Sequence, residues 1–425
     1  MASLMATAML ASESKCSVGP EVVTPAPESC YSAPGAAPSF YHPELDGLRF
    51  FAFLAVFCFH VFPLELPEVV ISNRIAAEVV AWFVALFKAG QLGVDLFFVL
   101  SSYLITELLV REWQAKGTID VGAFYMRRAL RIWPLYYTFL LFVFFCEPFY
   151  SHGSLHINFA VSMALFSGNW ANVALLARPT SVAALLWSVS VEEQFYLAWP
   201  WLMRWLTPAR LAWACVAMIG IAFVMRAFLV ANGAHHYLFY YNTFVRLDSL
   251  AAGALVALWL NGKAPSLSTE QRALIAILAL ATMVAGVRLM LVSEGPIWME
   301  LLTYPLWTLA SAAILLATLQ PEGEATGFLT WTPVVYLGRI SYGLYVVHFF
   351  VIVLVVSLGF CHAGTPLHGL YSLLGTIALA ALSYQFLEKP FLRWKDHFAV
   401  VASGKCERPA RSAEIPATGT PELAL

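Results

Sequence analysis

Ionisable side chains set inside long apolar runs are what this sequence offers for chemistry. His60 follows ten consecutive apolar residues, Phe50 to Phe59, and precedes Val61 and Phe62. A neutral imidazole can take a proton from a hydroxyl near neutral pH; packed between helices it can equally be a hydrogen-bonded core residue. Arg49 stands 11 residues earlier, close to three helical turns, so both side chains project from one face about 16 Å apart. The stretch LLWSVSVEEQFYLAWP, Leu185 to Pro200, holds Glu192, Glu193, Gln194 and Tyr196. Adjacent carboxyls diverge by about 100° on a helix, and Glu192 shares its face with Ser188 and Tyr196. A buried Glu192 could orient His60 and stabilise its charged form, or form a structural pair with an arginine.

Four further stretches add polar groups. In FYMRRALRIWPLYY, Arg128 and Arg131 lie at i, i+3 and face one way. Their guanidinium forks suit phosphate oxygens, although basic and aromatic residues also anchor helices at a membrane surface. GQLGVDLFFVLSSYLIT carries Asp95 and two serines. FVRLDSLAAGAL pairs Arg246 with Asp248 and continues into small residues that allow close helix contact. GRISYGLYVVHFF aligns Ser341, Tyr345 and His348 at i, i+4, i+7.

The elements that must position these groups follow from composition. Of 425 residues, 60% are hydrophobic and 12% charged, about half the charge of a soluble domain. Several apolar runs reach the roughly 20 residues needed to cross a bilayer. The expected fold is all-α, a polytopic membrane bundle of about ten helices near 48–66, 93–110, 134–150, 186–204, 211–231, 247–261, 271–292, 300–319, 337–358 and 368–388. Shorter stretches at 76–88 and 157–175 read as interfacial or re-entrant pieces. Lys and Arg collect in alternate loops, which places both termini in the cytoplasm; the expected location is the cell (inner) membrane. Residues 41–395 form the membrane domain, with disordered cytoplasmic tails at 1–40 and 396–425. Counting residues from the loops puts His60, Glu192 and His348 at one depth, with Arg49, Arg128, Arg131 and Arg339 at the inner rim.

Formal net charge is −2, so the basic footprint of a nucleic-acid partner is missing. The seven cysteines form no CxxC pair, and no cluster has metal-ligand spacing, so neither disulfide nor metal is expected.

Taken in order, LDGLR with the downstream His60, GVDLFFVLS, RRALRIWPLYY, WSVSVEEQFYL, RLDSLAAG and SYGLYVVH, closed by LEKPF, resemble the acyltransferase 3 family of integral membrane O-acyltransferases. The likeness runs over roughly residues 41 to 395. It implies transfer of an acyl group, commonly acetyl from acetyl-CoA, to hydroxyls of cell-surface carbohydrates, peptidoglycan or glycosides. It sets the family's essential histidine on His60, its motif glutamate on Glu192, its arginines on Arg49, Arg128 and Arg131, and its second-motif acid on Asp95. Ser102 stands where the family usually has Gly after FVLS, and no esterase-like extension of the SGNH type is expected.

The resulting expectation is that Arg49, Arg128 and Arg131 hold the phosphates of acyl-CoA. His60 acts as general base or transient acyl carrier, Glu192 orients it, and Asp95, Tyr345 and His348 help position substrate. The rival expectation is a proton-coupled transporter or flippase of a glycoconjugate, since buried His, Glu, Asp and Arg also build proton relays. Repeated halves with matching broken helices would favour it, and none is visible.

Overall fold

The computed structural model describes residues 41–62, 84–150, 157–175, 181–292, 297–321 and 327–398, together with positions 80 and 82. The expected tail at 1–40 lies outside these residues, as does the expected tail at 396–425 from residue 399 onward. Residues 396–398 form a single 3-10 turn.

Helices account for nearly all the described chain, and no strand occurs among the described residues. They are α1 (Pro43–Val61), α2 (Leu92–Lys116), α3 (Val121–Tyr150), α4 (Ile157–Ala164), α5 (Gly168–Leu175), α6 (Trp187–Trp205), α7 (Pro208–Ala231), α8 (His236–Tyr241), α9 (Leu247–Leu260), α10 (Thr269–Val292), α11 (Glu300–Thr318), α12 (Thr332–Arg339), α13 (Ser341–Ser357), α14 (Pro366–Ser383) and α15 (Lys389–Lys395). Seven helical segments among the described residues are long and apolar enough to cross a membrane, and the bent pair α12–α13 makes an eighth. Two more of membrane-spanning length, α1 and α6, are more polar. They carry Glu44, Asp46 and Arg49, and Glu192, Glu193 and Gln194, respectively. Against the expected count of about ten, the described residues give these seven to eight apolar spans, and α1 and α6 are two further helices of that length.

Local chemistry sets the helix ends. Pro43 opens α1 with Glu44 and Asp46 in its first turn, where a proline costs no hydrogen bond and acids complement the helix dipole. Gly117, at φ 70°, ends α2, a left-handed cap that glycine adopts without strain. The long helices alternate in direction, so one end of the bundle gathers the starts of α1, α3, α7 and α10 with the finishes of α2, α6, α9 and α11. Basic residues knit this end: Arg111 donates to Gly262 O at 3.3 Å, Arg204 to Ile119 O at 2.9 Å, and Arg127 to Glu112 at 2.8 Å and Phe398 O at 2.9 Å. Arg272 reaches Leu319 O.

Three spans depart from the expected outline. The basic RRALRIW stretch is not a lead-in but part of α3, which is 30 residues long. The span expected at 337–358 is broken, with α12 and α13 meeting at 73°. Gly338 sits at the break, where a Cβ would overlap Asp46 O of α1. The last span changes pitch through a π-turn at Tyr384–Glu388 just before Pro390, which has no N–H to continue the ladder. The stretch 157–175 is indeed broken, into α4 and α5 around Phe166 at φ 51°.

Ser102 is fully buried and faces Gly253 of α9, where a Cβ would overlap Ser102 Oγ and Val99 O. The small residues of RLDSLAAG thus supply the room that a serine at 102 needs. Its hydroxyl is satisfied by Val99 O at 3.2 Å, which removes the cost of burying it.

The expected pairing of Arg246 with Asp248 is replaced by two pairs between helices. Arg246 binds Asp95 of α2 at 3.0 Å, and Asp248 binds Arg226 of α7 at 2.8 Å. All four side chains are buried. Removing one partner of such a pair costs about 3–5 kcal/mol, so these bridges fix α2, α7 and α9 relative to one another.

Candidate active site

Among the described residues, two cavities in the interior hold the candidate groups, one above the other. The first, about 110 Å³, lies toward the basic end and is lined by Arg49 of α1, Ser101 of α2, Arg128 and Arg131 of α3, Ser188, Glu192 and Tyr196 of α6, and Ser341, Tyr342 and Tyr345 of α13. The second, about 650 Å³, opens toward the far end. His60, Gln91, Trp187, Tyr237, Tyr240, Phe349 and the histidines His236 and His368 line it.

His60 is half-buried on the last turn of α1. Its Nδ1 lies 2.8 Å from Val56 O and 3.4 Å from His348 Nε2. His348 is fully buried, and its own Nδ1 lies 2.6 Å from Tyr345 O. A carbonyl only accepts, so Nδ1 is the donor in both rings, His348 to Tyr345 O and His60 to Val56 O, and His348 Nε2 can accept from His60 Nδ1. The rings sit 5.2 Å apart, with Phe53 edge-on to His348 and Phe349 edge-on to His60.

Glu192 is not beside His60, which corrects the expected orienting pair. Its carboxylate accepts from Tyr196 OH at 2.8 Å in the smaller cavity, and Tyr196 also meets Ser101. Between the two sites, Tyr345 OH bonds Ser188 Oγ at 2.7 Å and Leu185 O at 3.1 Å. His348 lies about one turn beyond Tyr345 on α13, and Glu192 about one turn beyond Ser188 on α6 in the opposite direction. The separation along the bundle is therefore about two turns, ~11 Å. Counting from the loop failed because α6 does not begin at the surface. A buried 3-10 turn, Val182–Leu186, first carries the chain down to the level of Tyr345. His348, expected to contact an acceptor, instead holds the position beside His60 that was expected of Glu192.

The arginines do converge. Arg49, Arg128 and Arg131 all line the smaller cavity. Arg49 is steadied by Asp46 at 3.1 Å. The Arg128 guanidinium lies 5.7 Å from the ring centroids of both Phe124 and Tyr196, cation–π contacts that hold it without neutralising it. The buried Nε of Arg128 has no hydrogen-bond partner among the described residues. Three guanidinium groups with one nearby carboxylate make this a place for an anion. Glu193 points the other way, toward Trp133 Nε1 at 3.5 Å, as the divergence of adjacent helical residues requires.

Asp95 lines neither of these two cavities. With Ser249 it holds Arg246, whose guanidinium lies over Trp187, Tyr240 and Tyr304. Trp187 and Tyr240 are wall residues of the larger cavity, so Asp95 acts on that wall through Arg246. Sequence reasoning missed Arg226, although a lone arginine in the apolar run of α7 was a legible signal. It also missed His236 and His368. His368 accepts from Gly364 N–H at 3.1 Å and donates to Ile352 O at 3.1 Å, which fixes the ring. Among the described residues no group of three or more His, Cys, Asp or Glu is placed to share a metal ion.

Comparison with known proteins adds lineage to this geometry. YrhL of Bacillus subtilis is 30% identical over 372 residues, covering 82% of this chain and 55% of YrhL. The peptidoglycan O-acetyltransferase OatA of Listeria monocytogenes is 26% identical over 376 residues, covering 82% of this chain and 56% of OatA. The chain thus spans a little over half the length of these relatives. No solved structure matches it. The family model for the acyltransferase 3 domain matches residues 42–385, the stretch that builds both cavities, and the chain belongs to that acyltransferase family.

Proposed function

We propose that this protein is a membrane O-acyltransferase that moves a short acyl group, acetyl first among them, from acyl-CoA to a hydroxyl of a carbohydrate or glycoside. The observation that carries the reading is the stacking of two cavities at the Ser188–Tyr345 contact, with guanidinium groups in one and a basic imidazole in the other. The Lys- and Arg-bearing loops orient the smaller cavity toward the cytosol, where acyl-CoA is found, and both termini with it. Arg49, Arg128 and Arg131 hold the donor phosphates, and the pantetheine arm brings the thioester up beneath Tyr345.

The acceptor lies in the larger cavity, on the aromatic wall of Trp187, Tyr237 and Tyr240. His60 Nε2 removes the hydroxyl proton as the oxygen attacks the thioester carbonyl. The C–S bond breaks, the ester forms, and the proton returns from His60 to the departing thiolate as CoA–SH. In the charged interval, His60 Nδ1–H donates to Val56 O and to His348 Nε2, so His348 supports the cation. The Ser188–Tyr345 bond lies across the path and has to open for the two substrates to meet. The name of OatA makes peptidoglycan the first acceptor to try.

Membranes containing the protein, incubated with radiolabelled acetyl-CoA and cell-wall glycan or glycolipid, are expected to place label on the acceptor. His60→Ala is expected to lower it by about 10²–10⁴-fold. Solute movement without label would instead favour the transporter.

A further inference from the structure

The smaller cavity has two chemically distinct poles, and the far one is built to fit an acyl chain of limited length. Chain direction fixes the order. α2 and α6 run toward the basic end, so Val94, Phe97 and Phe98 precede Ser101, and Val189 precedes Glu192 and Tyr196. α13 runs the other way, with Ser341 and Tyr342 before Tyr345. Guanidinium, carboxyl and hydroxyl groups therefore crowd the basic pole, and the opposite pole is lined by Val94, Phe97, Phe98 and Val189. Tyr345, tied to Ser188 at 2.7 Å, closes it.

We infer that Phe97 sets the length of the acyl group this protein transfers, with Val94 and Val189 as its side walls. The inference rests on the placement of acyl-CoA in the smaller cavity under the proposed function. Phe97 meets Tyr345 edge-on at 5.9 Å, so its ring stands against the closure. Phe98 is fully buried and packs edge-on against Trp187 at 6.2 Å, which backs the wall from outside. The whole cavity holds about 110 Å³, small beside the roughly 300–1,000 Å³ of pockets that take drug-sized ligands. With the thioester beneath Tyr345, the acyl group turns aside into this pole, where its terminal methyl meets Phe97. Each methylene beyond what this pole admits must displace the half-buried ring of Phe97 or the buried ring of Tyr345. A methylene mismatch in an apolar pocket changes specificity by about 10- to 200-fold.

The test uses membranes carrying the full chain and a series of acetyl-, propionyl-, butyryl- and hexanoyl-CoA, with transfer read as the mass of the ester on one acceptor. The native protein is expected to prefer acetyl over butyryl by about tenfold or more in kcat/KM. Phe97→Ala is expected to raise the butyryl-to-acetyl ratio by at least about tenfold, and Phe97→Leu by less. Should Phe97→Ala fail to accumulate in the membrane, Phe97→Leu and Val94→Ala read the same ratio from positions that disturb packing less. Transfer that continues with an unmoved ratio in these variants overturns the role of Phe97 alone. No transfer from any acyl-CoA by the native protein overturns this inference and the donor assignment together.

Discussion

The two cavities divide the labour of the site by opposite means. The smaller one gathers fixed positive charge at one pole: three arginines stand with Glu192 and a set of hydroxyls within about 110 Å³, opposite an apolar pole. The larger one, about 650 Å³, is walled chiefly by aromatic and aliphatic side chains, with histidines as its main titratable groups among the described residues. Fixed cations suit a ligand carrying permanent negative charge. Aromatic faces and imidazoles suit hydroxylated rings, for which area and hydrogen-bonding groups matter more than fixed charge. The difference teaches that donor and acceptor selection reside in separate rooms, and that chemistry is confined to the step between them.

The largest test of this division is His60→Ala. Loss of a general base typically costs 10²–10⁴-fold, so label transfer is expected to fall by that factor while binding of acyl-CoA, measured by equilibrium dialysis on purified protein, stays near native. A parallel loss of donor affinity would merge the two rooms. Next come Arg128→Ala and Arg131→Ala, each removing charge-assisted hydrogen bonds worth about 1.5–3 kcal/mol. The KM for acyl-CoA is expected to rise about 10- to 100-fold with the KM for acceptor little moved; an equal rise in both would break the comparison. His348→Ala is expected to lower kcat by about tenfold while leaving the donor KM unaltered, since it withdraws one hydrogen-bond acceptor, about 1.5 kcal/mol, from the charged His60 ring. His348→Gln, whose amide oxygen can accept the same bond, should recover most of that loss, which a merely structural histidine would not predict. Smallest is Tyr345→Phe, which removes the bond to Ser188 but keeps the ring. A change in kcat of a few-fold is expected, and loss comparable to His60→Ala would assign the Tyr345 hydroxyl a chemical role instead.

Much of the fold was readable because apolar runs and loop charge are strong signals in a bilayer. The runs at 211–231, 271–292 and 300–319 became α7, α10 and α11 almost residue for residue. What escaped was vertical position. Nothing in LARPTSVAALLW announces that 182–186 descends as a 3-10 turn, so Glu192 was drawn too near to His60. The break at Gly338 was hidden for a related reason: glycine signals a close approach only when the partner backbone is known, and that partner is Asp46, almost three hundred residues earlier. The arginine cluster was legible, because Arg49 and the i, i+3 pair Arg128 and Arg131 could each be assigned to the same end of a helix. The histidine pair was half legible, since spacing put His348 on the face of Tyr345 but could not say that His60 waited opposite. The exchange of ion-pair partners was not legible, because Asp248 is near Arg246 in sequence while Arg226 and Asp95 are near only in space.

Backbone contact at the base of α1 has a mechanical result. Gly47 presses against Leu329 O, and Gly338 against Asp46 O. With no side chain between them to compress or rotate, the start of α1 and the arm at 327–339 must travel as one rigid block. Arg49 rides on that block, held by Asp46, which also faces Arg339 at 3.8 Å. Any widening of the charged cavity to admit a bulky anion therefore falls to the opposite flank, where α3 and α6 meet it through side chains that can yield.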